Sequence, residues 1–283
     1  MERRIDQRSG AAVWFGSDRQ QRPNLPTEGC PFCPGGRESP EPYDVRWFPN
    51  RWPPLDDERC EVLLFCSEHD RSLASLGPER VRRVVDLWVA RTQAQGRRDD
   101  VAYVLLFENR GPDVGATITH PHGQLYALDE VPAAARRTLD VAPCAICAEL
   151  AVGHHVTTVD GWSVVVPDAA SWPYELLIAP EAHLPDLPAL DAVARDGFAA
   201  ALVDGLGRLD QLFDHPMPYM AWIHQRPTDG GEWPTAHVHM QVAPLWRADG
   251  IPRYVAAGEL GSGLYFNPIL PEDAAVTLRS LPG

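Results

Sequence analysis

The order and spacing of Cys and His residues constrain this chain more than any other feature. Cys30-Pro-Phe-Cys33 is followed by His69 and then by His120-Pro-His122; Cys144-Ala-Ile-Cys147 is followed by His183 and then by His237-Val-His239. Cys33 to His69 spans 36 residues and Cys147 to His183 also spans 36, while the next intervals are 51 and 54. Self-similarity of this kind marks an internal duplication, and missing it would misread the whole fold.

Local patterns agree between the halves. Glu61-Val-Leu-Leu-Phe-Cys66 precedes the first single His and Tyr174-Glu-Leu-Leu-Ile-Ala179 precedes the second, both reading as buried strands. Helical stretches follow, around Pro78 to Gln95 and around Leu190 to Phe213. Further strands are expected over Val101 to Glu108 and Tyr219 to Ile223, then over Gly123 to Leu128 and Val238 to Pro244. Residues i and i+2 of a strand share a face, so His120 and His122 open into one space, as do His237 and His239. The expectation is an α+β protein of two half-domains, residues 1–140 and 141–283, each an antiparallel sheet with packed helices. The boundary falls near Thr138 to Pro143.

Two Cys and two His make a closed donor set suited to tetrahedral zinc. Cys30, Cys33, His69 and His120 form the first expected site, and Cys144, Cys147, His183 and His237 the second. Such sites leave no position for a reacting water and serve folding, with apparent binding energies of about 10–16 kcal/mol in small peptides. Cys60 and Cys66 read as ordinary buried residues, and His154 and His155 as members of a polar loop. His224 ends a strand upstream of His237 and His239; a three-His metal set and a hydrogen-bonded interior His are both open readings for it.

His122 is left over once His120 is a ligand. Pro121 stiffens the link between the two, so metal at His120 would fix the place of His122. Gly123 would admit a bulky ligand, and Gln124 can meet a phosphoryl oxygen without the repulsion of a carboxylate. A neutral imidazole can attack an α-phosphate, which splits one displacement into two and makes the kinetics ping-pong. Phosphoryl transfer then needs positioning and charge neutralisation, for which Thr117, Asn109 and the N-terminal arginines are candidates. From composition alone, a His-x-His is more often a metal pair than a ligand beside a nucleophile.

Composition narrows the rest. The 283 residues carry a formal charge of −14, which argues against nucleic acid as a partner. No apolar run is long enough for a transmembrane helix, and the polar N-terminus leads to the expectation of a cytoplasmic protein. In that setting paired cysteines read as metal ligands and not as disulfides. The chain has no Lys, so any anion clamp uses Arg or backbone N–H groups; codon bias explains that absence as readily as chemistry does.

At these residues the chain resembles the galactose-1-phosphate uridylyltransferase family of the histidine-triad superfamily. The resemblance runs through Ser17-Asp-Arg-Gln-Gln-Arg-Pro23, Cys30-Pro-Phe-Cys33, Phe48-Pro-Asn-Arg-Trp-Pro53, Ser67-Glu-His-Asp70, Phe107-Glu-Asn-Arg-Gly111, His120-Pro-His-Gly-Gln124, Trp222-Ile-His-Gln225 and Gly258-Glu259. It implies histidine-triad-like half-domains and a nucleotidylyltransferase in which His122 carries the uridylyl group. It further implies that Gln124 and Thr117 contact phosphoryl oxygens and that Arg19 and Arg22 hold phosphates. Asn50 would sit by the nucleotide and Asn109 near the active site. Arg253 and Glu259 would contact the sugar phosphate from the other subunit of a homodimer. The implied reaction converts UDP-glucose and galactose 1-phosphate to UDP-galactose and glucose 1-phosphate, so the partners are a nucleotide sugar and a sugar 1-phosphate.

The chain departs from the family at three places. Some members hold a second metal with one Glu and three His; His224, His237 and His239 match the histidines, but the Glu position falls at Thr138. Cys144 and Cys147 instead resemble relatives that act as ADP-sugar phosphorylases. Arg253 stands where Lys is frequent, and the match to a sugar-contacting Gln is lost near Tyr265. The rival readings are therefore an ADP-sugar phosphorylase or another sugar-1-phosphate nucleotidylyltransferase, and a zinc-stabilised nucleotide-binding protein without activity. Retention of both His122 and Gln124 argues against the last.

Overall fold

The computed structural model describes residues 2–15, 29–55 and 58–283. Thirteen strands and seven α-helices are described. β1 (Glu2–Ile5) and β2 (Ala12–Phe15) form an exposed hairpin. β3 (Arg46–Pro49), β4 (Cys60–Leu64), α1 (Leu73–Leu76), α2 (Pro78–Gly96), β5 (Tyr103–Arg110) and β6 (His122–Leu128) follow. After α3 (Ala133–Leu139) and α4 (Ala145–Val152) come β7 (His154–Val159), β8 (Trp162–Val166), β9 (Leu176–Pro180), α5 (Ala192–Asp210), β10 (Tyr219–His224) and β11 (His239–Pro244). β12 (Trp246–Ala248) and β13 (Ile251–Pro252) make a short ribbon before α6 (Ala257–Ser262) and α7 (Pro271–Arg279). No described helix is long and apolar enough to cross a membrane.

One nine-stranded antiparallel sheet runs β3-β4-β6-β5-β10-β11-β9-β8-β7. Read from β3 or from β8 toward the middle, the order is the same: two strands, then the His-x-His strand, then the strand before it in sequence. The halves meet at β5 and β10, with Phe107 opposite Trp222 and Asn109 opposite Met220. The half-sheets expected from the repeat are thus joined edge to edge, which hides two strand edges that would otherwise template aggregation.

α1, α2, α5 and α7 cover one face of this sheet, while α3 and α4 pack on the other. α2 begins at Pro78, where the missing N–H costs nothing, and buries Val81, Val84, Val85, Trp88, Val89, Thr92 and Gln95 at helical spacing. α5 starts where Asp191 accepts the N–H of Ala194. The two helices pack on one another, so a single core spans both halves. The Trp162 and Phe198 rings stack with centroids 4.2 Å apart, Trp88 lies 6.1 Å from Phe198, and Phe65 closes the row. Each such aromatic contributes about 1.5–3 kcal/mol on full burial. Arg195 reaches Asp86 at 3.0 Å, and Arg82 pairs with Asp196.

One sequence expectation changes here. His154 and His155 open β7 and pair with Val166 and Val165, because an edge strand tolerates alternate polar side chains. His155 Nε2 lies 3.0 Å from the Leu150 carbonyl oxygen.

Candidate active site

The first Cys/His set converges where the loop before β3, the turn after β4 and the start of β6 meet. Cys30, Cys33, His69 and His120 present ligand atoms within 4.8 Å of one another. Cys33 Sγ lies 3.5 Å from Nδ1 of His69 and 3.5 Å from Nδ1 of His120. Bonds of about 2.3 Å to sulfur and about 2.0 Å to nitrogen at tetrahedral angles put S and N about 3.5 Å apart, so the donor set fits zinc. His120 is fully buried, and its Nε2–H points at the Cys66 carbonyl oxygen (2.8 Å) and the Tyr43 hydroxyl oxygen (2.8 Å). That leaves the Nδ1 lone pair toward Cys33, the tautomer a ligand needs. Burial, with Cys30 beside it, pushes the Cys33 thiol up to about 11. A dithiol held this way without a cation would stay protonated; a bound cation reverses the balance.

The second set repeats the arrangement. Cys144, Cys147, His183 and His237 also lie within 4.8 Å of one another. Cys147 Sγ is 3.3 Å from His183 Nδ1 and 3.4 Å from His237 Nδ1, and Cys144 Sγ is 3.7 Å from His237 Nδ1. His237 Nε2 lies 2.9 Å from the Pro180 carbonyl oxygen. Burial lowers the His237 ring to about 4, so it stays neutral and able to ligate.

His122 begins β6 beside the first set and is half-buried. Its Nδ1–H donates to the carbonyl oxygen of His120 at 2.7 Å, which turns Nε2 and its lone pair away from the backbone. It lines a cleft of about 720 Å³ with Gln124, Thr117, Asn50, Phe48 and the Cys30–Glu38 loop. Gln124 is oriented in turn. The Trp52 N–H donates to Asn50 Oδ1 at 2.9 Å, and Asn50 Nδ2 donates to Gln124 Oε1 at 3.2 Å. With its oxygen so occupied, the Gln124 amide has its N–H groups to offer an anion.

Gly123 has a different role from the one expected. A Cβ there would meet the Phe65 ring at 2.8 Å and the Phe107 carbonyl oxygen at 3.0 Å. The residue is glycine because β6 packs closely on its own sheet and core, and the space for a ligand lies on the His122 side.

The other expected residues are placed unequally. Arg19 and Arg22 fall outside the described residues. Asn109 lies on β5 two residues from Phe107, which pairs with Gln124, and is not among the cleft residues. Arg253 and Glu259 are buried against one another, with the Arg253 guanidinium 4.5 Å over the Trp172 ring and 5.9 Å from that of Tyr265. They lie away from the cleft within one chain. His224 faces His239 across β10 and β11, ring centroids 5.5 Å apart, and belongs to neither metal set. His239 repeats the bond of His122 by placing Nδ1 2.7 Å from the His237 carbonyl oxygen, but it is buried and burial lowers it to about 3.

Two cleft residues and one residue behind the cleft loop carry no distinct signal in the sequence. Phe32 fills the space inside the first Cys pair, Tyr43 ties that loop down with a 2.6 Å bond to the Phe32 carbonyl oxygen, and Arg51 pairs with Glu38 at 2.7 Å at the cleft wall. Motif spacing points to the loop and cannot say which of its aromatic residues turns inward.

The fold and site thus combine a duplicated antiparallel α+β sheet with a Cys/His cluster beside a cleft histidine of defined tautomer. Residues 56–132 match the N-terminal domain of galactose-1-phosphate uridyl transferase and residues 140–283 match its C-terminal domain. The galactose-1-phosphate uridylyltransferase of Thermotoga maritima is 32% identical, with 99% of this chain and 98% of that protein covered. The Streptomyces lividans enzyme of the same name is 36% identical over 90% of this chain and 80% of its own. A solved uridylyltransferase structure superimposes with a TM-score of 0.89 at 27% identity, covering 99% of this chain and 98% of that one. This chain belongs to the galactose-1-phosphate uridyl transferase family.

Proposed function

We propose that this chain is a hexose-1-phosphate uridylyltransferase that converts UDP-glucose and galactose 1-phosphate into UDP-galactose and glucose 1-phosphate. The observation that carries the reading is the 2.7 Å bond from His122 Nδ1–H to the His120 carbonyl oxygen, which leaves Nε2 as the nucleophilic nitrogen at the cleft. Nε2 attacks the α-phosphorus of UDP-glucose. The N–P bond forms as the P–O bond to glucose 1-phosphate breaks, and glucose 1-phosphate leaves. The uridylylated ring keeps its Nδ1 proton and is cationic, and the His120 carbonyl dipole stabilises that charge. A phosphate oxygen of galactose 1-phosphate then attacks the same phosphorus from the opposite side and restores the neutral ring. Gln124 donates to the non-bridging oxygens as charge builds there, Asn50 holds Gln124 in that orientation, and Thr117 is a further donor. Arg19 and Arg22 neutralise the remaining phosphate charge.

Zinc held by Cys30, Cys33, His69 and His120, and by Cys144, Cys147, His183 and His237, supplies rigidity and not Lewis-acid chemistry, since four protein ligands close each set. Arg253 and Glu259 lie outside the cleft of their own chain, which supports a homodimer in which each pair serves the partner's site; light scattering finding an active monomer would refute this. The six free cysteines suit a reducing, cytoplasmic setting, which cell fractionation checks.

Isotope exchange tests the reaction. Labelled glucose 1-phosphate should enter UDP-glucose in the absence of any second sugar phosphate, as a ping-pong route requires. Exchange with ADP-glucose alone would replace this reading with an ADP-sugar reaction, and exchange with no nucleotide sugar would remove it.

A further inference from the structure

Phe32 stands between the metal knuckle and the reacting ring. It lies inside Cys30-Pro-Phe-Cys33 and is therefore flanked by two residues of the first cluster. Its carbonyl accepts the Tyr43 hydroxyl at 2.6 Å, and the residue is only 5% exposed. That ring meets Phe48 at 5.6 Å, His120 at 6.2 Å with planes at 86°, and His122 at 5.1 Å with planes at 66°. Of these contacts, the one to His122 is the shortest.

An imidazole needs such a wall. The outer torsion of a His side chain is broad and roughly two-fold, so the ring can turn over. Turning over would exchange Nε2 with a carbon at the cleft and take Nδ1 from the His120 carbonyl. A single hydrogen bond of this kind favours one orientation by only about two- to tenfold. A tilted aromatic contact adds a preference of similar size and blocks the turn sterically. The backbone bond selects the tautomer, and a ring anchored in the knuckle keeps the imidazole from leaving it.

We propose that Phe32 is a positioning residue for His122: packed edge-on against the imidazole from inside the Cys30/Cys33 loop, it holds Nε2 aimed into the cleft. The proposal rests on the reading of His122 as the nucleophile. It also assigns the knuckle a part in reactivity, because the loop that supplies the metal ligands supplies the wall.

The test uses the full-length zinc-loaded protein with Phe32→Leu, which keeps apolar bulk without a ring, and Phe32→Tyr, which keeps the ring. Rapid quench at saturating UDP-glucose reads the rate of uridylyl-histidine formation, and UDP-glucose titration reads binding. Selective ¹⁵N-histidine NMR of the ligand-free protein reads the His122 tautomer. Phe32→Leu should form the adduct about three- to tenfold more slowly at saturation. Its binding should stay within about twofold, its zinc content should match wild type, its melting temperature should fall by no more than a few degrees, and its ¹⁵N shifts should average between the two neutral tautomers. Phe32→Tyr should keep the wild-type rate and a single Nδ1–H tautomer. If Phe32→Leu keeps the wild-type saturated rate and tautomer and only binds more weakly, Phe32 is a wall of the nucleotide pocket and the proposal is wrong. Should the Leu variant fail to fold, Phe32→Met, which refills the volume without a ring, is read in the same way. A wild-type protein that forms no adduct would overturn the proposed function, and the NMR comparison would still decide the role of Phe32.

Discussion

His237 and Pro180 are joined through Nε2 and a carbonyl oxygen at 2.9 Å, just as His120 and Cys66 are joined at 2.8 Å. In each half the accepting carbonyl belongs to the residue three positions before the single His of the metal set. The duplication has therefore kept the partners that orient a ligand as well as the ligands, and outer partners of this kind commonly matter 10- to 100-fold for affinity.

Elemental analysis of freshly purified protein should accordingly find close to two zinc ions per chain. His237→Ala should lower this to about one and leave the first site filled. A value near zero in active protein would contradict both sites.

The two histidines of His120-Pro-His122 should fail in different ways. His122→Gly should abolish turnover while zinc content and melting temperature hold, because that ring is placed to react and not to ligate. His120→Gly should lose zinc and stability, since it removes a ligand. Zinc analysis and thermal melts on both variants check the contrast, and equal zinc loss in both would contradict it.

Beneath the sheet, Glu108 accepts the Tyr219 hydroxyl at 2.9 Å, and burial pushes its carboxyl up to about 7. A carboxyl whose pKa is raised on folding holds its proton better when folded. Stability from this group is present at low pH, falls between the unfolded value near 4.5 and about 7, and is level above that. Glu108→Gln removes this titration. Its melting temperature relative to wild type should rise by a few degrees between pH 5 and pH 8, with an upper bound of about 3 kcal/mol. A constant difference across that range would contradict a carboxyl raised to about 7.

The legibility of these features from sequence follows from how narrow the chemistry is. Zinc accepts few side chains, so Cys30, Cys33, His69 and His120 stand out by type and spacing, and Cys144, Cys147, His183 and His237, with the same 36-residue Cys-to-His interval, stand out again. Completion of the four-donor set by His120 was what set His122 apart from the metal ligands, since alternation puts both rings on one face. The β5–β10 junction left no comparable trace, because pairing between the halves imposes no spacing within either. Phe32 and Tyr43 read like any loop aromatics, since apolar packing accepts many residues. Gly123 misled because a glycine beside a nucleophile suggests room for a ligand, whereas here it permits contact with Phe65. His239 matches His122 in sequence context and even in its backbone bond, and only burial in the folded sheet sets the two apart.

The central claim is that His122 alone carries the nucleotide. Wild-type protein incubated with UDP-glucose and no acceptor, then digested under alkaline conditions and analysed by peptide mass spectrometry, tests it most directly. The account predicts one uridylyl group per chain on the peptide containing His122, labile in acid as phosphoramidates are and discharged by adding a sugar 1-phosphate. An adduct on another residue, or none with any nucleotide sugar while His122→Gly still turns over, would contradict it.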